Sequence, residues 1–465
     1  MNARRSLLAF SILLICSPFA AAQDGLRVGF GTADVTPDIA AKPVYIAGFG
    51  KNRKATKVHD PIMARAVVLE HGDQKLAIVS VDVIGLFHDS VERVRPRLQG
   101  ITYLLVSSTH THAGPDTIGM WGPNFFTSGV DPAYIAQIED GIVAAVTKAE
   151  ASLAKVQQTR LGSQRAGELL RDSRQPIVKH DELTALQFLD ANGKTLGIVT
   201  NWNCHPEALD RDNTALSSDY VAPAVAKLEA IYRAPVVYIT GTVGGLMTPS
   251  DDFKDDAGQP IPRGGFAITE RYGHAIAALT EKALKEGRVA SITPFRVQRR
   301  EIYLPIDNSA YLLGFRLGVL KRNAYGWSGD IAKAIPLDKN QPTQKLAAKT
   351  EIARLRLGEL DIAAIPGEIY PELVLGKFQD PADPAADFPD APLEPSIYSQ
   401  LDAPFRMIVG LANDEIGYII PKRQWDEKPP FAYGRKTSQY GEINSLGAET
   451  GPLICEAFRE MTKKK

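Results

Sequence analysis

Two short segments hold three of the chain's histidines, side chains able to bind a metal or move a proton near neutral pH. They are Ser-Ser-Thr-His-Thr-His-Ala-Gly-Pro, with His110 and His112, and Asn-Trp-Asn-Cys-His-Pro-Glu, with His205. The chain has only eight histidines, and these three fall directly after apolar, β-rich runs. Glu368 in Ile-Pro-Gly-Glu-Ile-Tyr-Pro-Glu-Leu and Tyr418 in Gly-Leu-Ala-Asn-Asp-Glu-Ile-Gly-Tyr-Ile follow such runs too. In open α/β sheets ligands bind beyond the carboxyl ends of strands, so groups that follow different strands converge there. In an extended His-x-His both imidazoles share one face, roughly 7 Å apart, so one is placed to hold a metal while the other touches substrate. Imidazoles plus a carboxylate with an open position is a catalytic zinc pattern, whereas calcium and magnesium prefer all-oxygen shells. Zinc is therefore the expected cofactor. His59, His71, His88, His180 and His274 lack such a setting and are read as ordinary core or surface histidines.

The elements that must position these groups are short apolar runs: Lys75–Ile84, Ile101–Ser107, Leu196–Asn201, Pro235–Thr240, Leu360–Ile365 and Arg406–Leu411. Each is bounded by turn residues or charge, as strands buried on both faces are. Helical patterns lie between several of them, at Pro132–Leu153 after a Ser-Gly turn, at Ala222–Tyr232 and at Ile268–Glu286. Strands alternating with helices predict an α/β fold, a mixed β-sheet core with flanking helices and the metal site at the carboxyl ends of strands. Ser250–Gly265, rich in Asp, and Gln379–Pro395, rich in Asp, Pro and Ala, read as loops. The acidic cluster of the first lacks the regular spacing of a calcium loop. There is no internal repeat and no linker that cuts the chain into independent units.

Bulk properties narrow the function. Arg4 and Arg5 precede the apolar run Leu7–Ile15, and Ala20-Ala21-Ala22 supplies a small-residue cleavage pattern, so residues 1–22 read as a signal peptide and the remainder as an exported protein, periplasmic or secreted. The run is too short for a transmembrane helix, which needs about 20 apolar residues, and no other candidate follows. Ile15 stands where a lipobox before Cys16 wants a small residue, which disfavours lipidation. Cys204 and Cys455, the other two of the three cysteines, make no disulfide framework, so burial must hold the core. A formal charge of −1, with both signs intermixed, gives no footprint for nucleic acid and no basic face for anionic membranes. A small or neutral molecule is the expected partner; the oligomeric state is left open.

Thr109-His-Thr-His-Ala-Gly-Pro115 resembles the Thr-His-Thr-His-Ser-Gly-Pro segment of the neutral/alkaline, non-lysosomal ceramidases. Gly31-Thr-Ala-Asp-Val-Thr-Pro37 and Ile46-Ala-Gly-Phe-Gly50 are similar to that family's opening segments. His59-Asp-Pro, Ala64-Arg-Ala, Val79-Ser-Val-Asp82, Leu216-Ser-Ser-Asp219, Pro366-Gly-Glu368 and Gly410-Leu-Ala-Asn413 follow in family order and cover most of residues 23–465. The resemblance implies one catalytic domain over 23–465, with zinc on His110, His205, Glu368 and Tyr418 and with His112 hydrogen-bonding the metal-bound water or the substrate. It also implies an arginine near the scissile carbonyl, matched best by Arg174 in Asp-Ser-Arg-Gln-Pro, with Arg171 as the alternative. Two departures stand out. Gly245-Leu-Met-Thr-Pro-Ser replaces the family's Gly-Asp-Val-Ser-Pro-Asn, so Thr248 stands for a serine once proposed as nucleophile. No counterpart of the family's appended immunoglobulin-like domain is expected, and Gln379–Pro395 reads longer than the family's loop.

The implied reaction is hydrolysis of the amide of N-acylsphingosine, or of a related N-acyl lipid, through a metal-bound hydroxide. Zinc lowers the pKa of bound water from 15.7 to about 7 and polarises a carbonyl, whereas a serine without a base gains nothing comparable. His112 would be the hydrogen-bond partner or proton shuttle, and Arg174 with nearby tyrosines the oxyanion donors, Tyr433 and Tyr440 being the weaker candidates. Asp219 either orients His205 or caps the helix beginning near Tyr220. The alternatives are a zinc hydrolase of another ester or N-acyl compound, and a catalytically silent ligand-binding relative, since the motifs fix the metal and not the acyl group.

Overall fold

The computed structural model describes residues 25–338 and 344–463; the expected signal segment therefore lies outside the described residues. Runs such as Leu-Ala-Ile-Val-Ser-Val and Leu-Leu-Val-Ser-Ser are apolar on both faces and can only be strands covered on both sides. They form three mixed sheets. The first contains β1 (Arg27–Asp34), β2 (Met63–His71), β3 (Gln74–Val81) and β4 (Tyr103–Ser108), in the order β4-β3-β2-β1, with α1 (Pro132–Ala151) packed on its outer face. Asp131 caps α1 by accepting from Ala133 N, and Pro132 fills its first turn. The helix lies so close that a Cβ at Gly31 would sit 2.2 Å from Ala145 O, which is why glycine stands there.

The second sheet contains β5 (Gln158–Arg165), β6 (Glu182–Leu189), β7 (Thr195–Trp202) and β8 (Val236–Thr240), covered by α2 (Val221–Tyr232) and α3 (Phe266–Glu286). The third is built on β9 (Phe295–Pro305), β10 (Leu346–Leu357), β11 (Leu360–Ala364) and, after the short strand β12 (Glu368–Ile369), β13 (Phe405–Val409); beyond it come β14 (Tyr418–Ile419) and α4 (Thr450–Thr462), which packs on it. The inner faces of all three sheets meet in one apolar core that includes Val67, Leu105, Phe188, Val237, Leu355 and Met407.

Each sheet is antiparallel except for one pair: β3 with β4, β7 with β8, and β11 with β13. A parallel pair delivers two chain segments to the same edge, so three pairs bring six carboxyl ends to one region. These six strands are the six runs read from the sequence. The expected α/β class, mixed sheets and flanking helices all hold, and among the described residues no helix is long and apolar enough to cross a membrane.

Ser250–Gly265 and Gln379–Pro395 are loops, as expected, apart from one isolated bridge between Lys254 and Pro260. Asp251 pairs with Arg171 and Arg263, and Asp256 with Arg271, so charge in the first loop is balanced by arginines. Cys204 and Cys455 are buried and free.

His180 is a core histidine, 3% exposed between Thr242 Oγ1 and Tyr398 OH. Burial pushes it down to about 3. Because the unfolded imidazole titrates near 6.5, the unfolded chain binds the extra proton first as pH falls. The stability this residue contributes is intact above pH 6.5 and is lost toward pH 3, at no more than about 1.4 kcal/mol per pH unit. His180→Gln should flatten that dependence, read by denaturant unfolding at pH 7, 5 and 4; an unchanged acid slope in the variant would exclude this site as the cause.

Candidate metal centre

His110 follows β4 and His205 follows β7, and each imidazole is fixed by a carbonyl behind it. His110 Nδ1 lies 2.6 Å from Ile84 O and His205 Nδ1 lies 3.0 Å from Met247 O. A carbonyl only accepts, so both Nδ1 atoms carry the proton and both Nε2 atoms present lone pairs. Those lone pairs converge on one carboxylate oxygen, Glu368 Oε2, at 3.3 Å from His110 and 2.9 Å from His205. Three electron-rich atoms meeting in a buried place call for a cation among them. Backbone carbonyls holding the far nitrogens of two imidazoles are the usual support behind metal-binding histidines.

Glu368 is brought there by backbone pairing. Strand β12 lies parallel to β14 with Glu368 opposite Tyr418, so the two side chains share a face. Tyr418 is 4% exposed and meets Tyr370 and Tyr440 edge-on. Burial works to raise the Glu368 carboxyl, but the imidazoles of His110 and His205 outweigh it and hold it well below the usual range. Burial likewise opposes charge on His205, and Glu368 reverses this and raises it.

His112 joins the cluster, its ring centroid 5.1 Å from that of His110 and 5.5 Å from that of His205. The ligand atoms of the three histidines lie within 4.8 Å of one another. His112 N donates to Pro206 O, which locks the two histidine segments together. Its ring packs on Phe49 and against Gly48, where a Cβ would sit 2.4 Å from His112 Cγ at a φ of +102. Among the described residues neither ring nitrogen has a hydrogen bond, although Glu207 Oε2 is 3.3 Å from Nδ1. Burial first, then the neighbouring imidazoles, pushes His112 well below its ordinary range. An orphaned, neutral imidazole beside two paired ones fits a group that receives a ligand. The residues present thus fit a metal, which His110, His205 and Glu368 could hold with Tyr418 alongside.

Two cavities meet at this cluster. A narrow apolar one runs past Ile84, Phe87, Ile118, Trp121, Tyr311 and Phe315 and touches His110 and Glu368. A wider polar one opens through Lys51, Arg53, Glu207, Arg211 and Asp212 and touches His205. Gly48, His112, Tyr418 and Tyr440 line both.

Other expected residues stand elsewhere. Arg174 is 2% exposed and lines neither cavity. Its terminal nitrogens bind the Glu442 carboxylate at 2.9 and 2.7 Å, Tyr440 O at 2.8 Å and Gln424 O at 2.9 Å, and it lies over the Tyr370 ring. In this structure it braces the segment that carries Tyr440. Arg171 turns to Thr248 Oγ1 and Asp251. Tyr433 bonds Gln379 across the Gln379–Pro395 loop and also lines neither cavity. Asp219 takes neither expected role: its carboxylate accepts from Leu209 N and Tyr220 N, while His205 turns to Met247 and Glu368. Sequence reasoning missed Glu207, Arg53, Arg322 and Glu415. Glu207 and Glu415 sit inside the two motifs that carry His205 and Tyr418, two residues after the first and three before the second, whereas Arg53 and Arg322 carry no local signal.

Comparison with known proteins places this geometry. Residues 26–166 match the family model "Neutral/alkaline non-lysosomal ceramidase, N-terminal". A neutral ceramidase of Mycobacterium tuberculosis is 30% identical over 219 residues, 42% of this chain and 34% of that protein. The neutral ceramidase of Pseudomonas aeruginosa is 28% identical over 245 residues, 47% of this chain and 36% of that protein. The matched stretch thus spans about a third of these relatives' length. In fold, the crystal structure of the P. aeruginosa neutral ceramidase superposes with a TM-score of 0.69 at 18% identity, covering 94% of this chain and 74% of that one. The N-terminal segment is thus similar to that of the neutral/alkaline non-lysosomal ceramidases, and the fold is that of a solved neutral ceramidase.

Proposed function

We propose that the protein is a zinc-dependent hydrolase of the amide bond in N-acylsphingosine or a related N-acyl lipid, exported by way of the Arg4–Ala22 segment. The observation that carries this reading is the meeting of two imidazole lone pairs on Glu368 at the junction of an apolar and a polar cavity. A zinc ion there would acidify a bound water and polarise the scissile carbonyl. His110, His205, Glu368 and Tyr418 would hold it. The apolar cavity would take the acyl chain and keep water from it. Glu207 and Asp212 in the polar mouth suit the amine side of the substrate. His112, unpartnered and facing both cavities, is placed to accept or pass the proton that must travel from the attacking water to the leaving nitrogen. Tyr440, on the wall of both cavities, is the oxyanion donor this geometry favours in place of Arg174. The relatives' names support the substrate class, as does a second solved structure with this fold, "Ceramidase complexed with C2", at a TM-score of 0.66.

The test pairs metal analysis with a substrate screen. About one zinc per chain is expected, with release of fatty acid from N-acylsphingosine and no cleavage of peptides. Faster turnover of peptides or phosphate esters than of any N-acyl lipid would overturn the reading, and an ester preferred over every amide would favour the ester alternative.

Thr248 gives a second, smaller test. It lies on a short strand segment opposite Arg171, and its hydroxyl accepts from Arg171 Nε at 3.3 Å, with no histidine or carboxylate bonded to it. A hydroxyl without a base is a weak nucleophile. Thr248→Ala should lower kcat by less than about tenfold, roughly 1.4 kcal/mol. A fully metallated but inactive variant, or an acyl group trapped on Thr248, would reverse the assignment.

A further inference from the structure

The apolar cavity beside the metal cluster contains one carboxyl group that the reaction outlined above does not use. Glu415 lines it and is 6% exposed. Glu415 Oε1 accepts from Gly417 N at 2.7 Å, whereas Oε2 is buried without a hydrogen-bond partner among the described residues. The cation on the same wall does not supply one: the terminal nitrogens of Arg322 bond both Asp414 oxygens and Lys349 O, and its Nε, itself unpartnered among the described residues, makes no bond to Glu415. The stem of the side chain packs directly on Gly85, where a Cβ would lie 2.6 Å from Glu415 Cβ. A buried acceptor without a partner is unfavourable, and a plain hydrocarbon chain filling this cavity would leave it so.

We infer that the cavity is built for an acyl chain that carries a hydroxyl group, and that Glu415 Oε2 is the atom that reads it. A hydroxyl both donates and accepts, so it complements the carboxyl in either protonation state. The acyl side is assigned because the amine side, with the hydroxyl groups of its own base, suits the polar mouth of Lys51, Arg53, Arg211, Glu207 and Asp212. Sites that hydrogen-bond a substrate hydroxyl reject the analogue lacking it far more strongly than an apolar pocket rejects a missing methylene. The inference rests on the proposed amide hydrolysis for the bond that is cut, but the pairing itself is measured separately.

The experiment compares N-dodecanoylsphingosine with its 2-hydroxydodecanoyl and 3-hydroxydodecanoyl counterparts on the zinc-loaded protein. At least one hydroxylated substrate should be favoured in kcat/KM by about tenfold or more, the size of one good hydrogen bond. Glu415→Leu should abolish or invert the preference, and the nearly isosteric Glu415→Gln should keep part of it. No preference in the unaltered protein, or an undiminished one in Glu415→Leu, would overturn the inference. If the leucine variant does not fold, a preference unchanged in Glu415→Gln would overturn it and a reduced one would uphold it. In parallel, calorimetry measures binding of dodecanoic acid and of its 2- and 3-hydroxy acids. If no amide is cleaved but a hydroxy acid binds tighter only when Glu415 is present, the proposed function fails and this inference stands; equal binding of all three acids sinks it.

Discussion

Glu368→Ala is expected to leave a folded protein that retains no stoichiometric metal and has no measurable amide hydrolysis. The reason lies in the geometry. Glu368 supplies the single negative charge at the point where the Nε2 atoms of His110 and His205 converge, at 3.3 and 2.9 Å. Without it two neutral imidazoles remain, fixed by Ile84 O and Met247 O but lacking the charged third ligand of a catalytic zinc shell. Loss of a supporting residue behind a ligand commonly costs 10–100-fold in affinity or activity, so loss of a ligand should exceed about a hundredfold. Metal content, kcat and circular dichroism on the same preparation check it. Activity within tenfold at full metal occupancy would show that the ligand set is wrong.

Arg174→Ala should act on stability before it acts on chemistry. The guanidinium and Glu442 are both almost wholly buried, at 1% and 4% side-chain exposure, and form a two-armed pair. Removing one partner strands the other charge; breaking such buried pairs costs about 3–5 kcal/mol. Glu442 Oε1 also accepts from Asp426 N, so the loss would spread into the segment leading to Tyr440. Denaturant unfolding reads the effect, and Glu442→Gln should reproduce much of it. A variant with unchanged stability and a hundredfold fall in kcat would instead restore Arg174 to the oxyanion role that family resemblance implies.

These two residues mark what was legible in the sequence. Glu368 stood out because strands buried on both faces read as continuous apolar runs, and the parallel strands of each sheet are of that kind. The groups after them were visible by position alone. The antiparallel strands were not. Strand β9 alternates exposed charge with apolar residues, and β10, Leu-Ala-Ala-Lys-Thr-Glu-Ile-Ala-Arg-Leu-Arg-Leu, has a composition equally at home in a helix. Arg174 was legible as an arginine in a family-like segment, but its direction depends on Glu442, far along the chain, and no local pattern encodes that. Arg322 and Glu415 meet on one wall for the same reason: tertiary folding places them side by side.

His110 sits at a φ of +67, in the left-handed region, with its backbone N–H on Val83 O. Such a conformation costs a non-glycine residue about 1–2 kcal/mol. The chain therefore holds this imidazole, the proposed ligand, against the preference of its own backbone; glycine here would relieve that strain but would empty a buried site and leave Ile84 O without its donor.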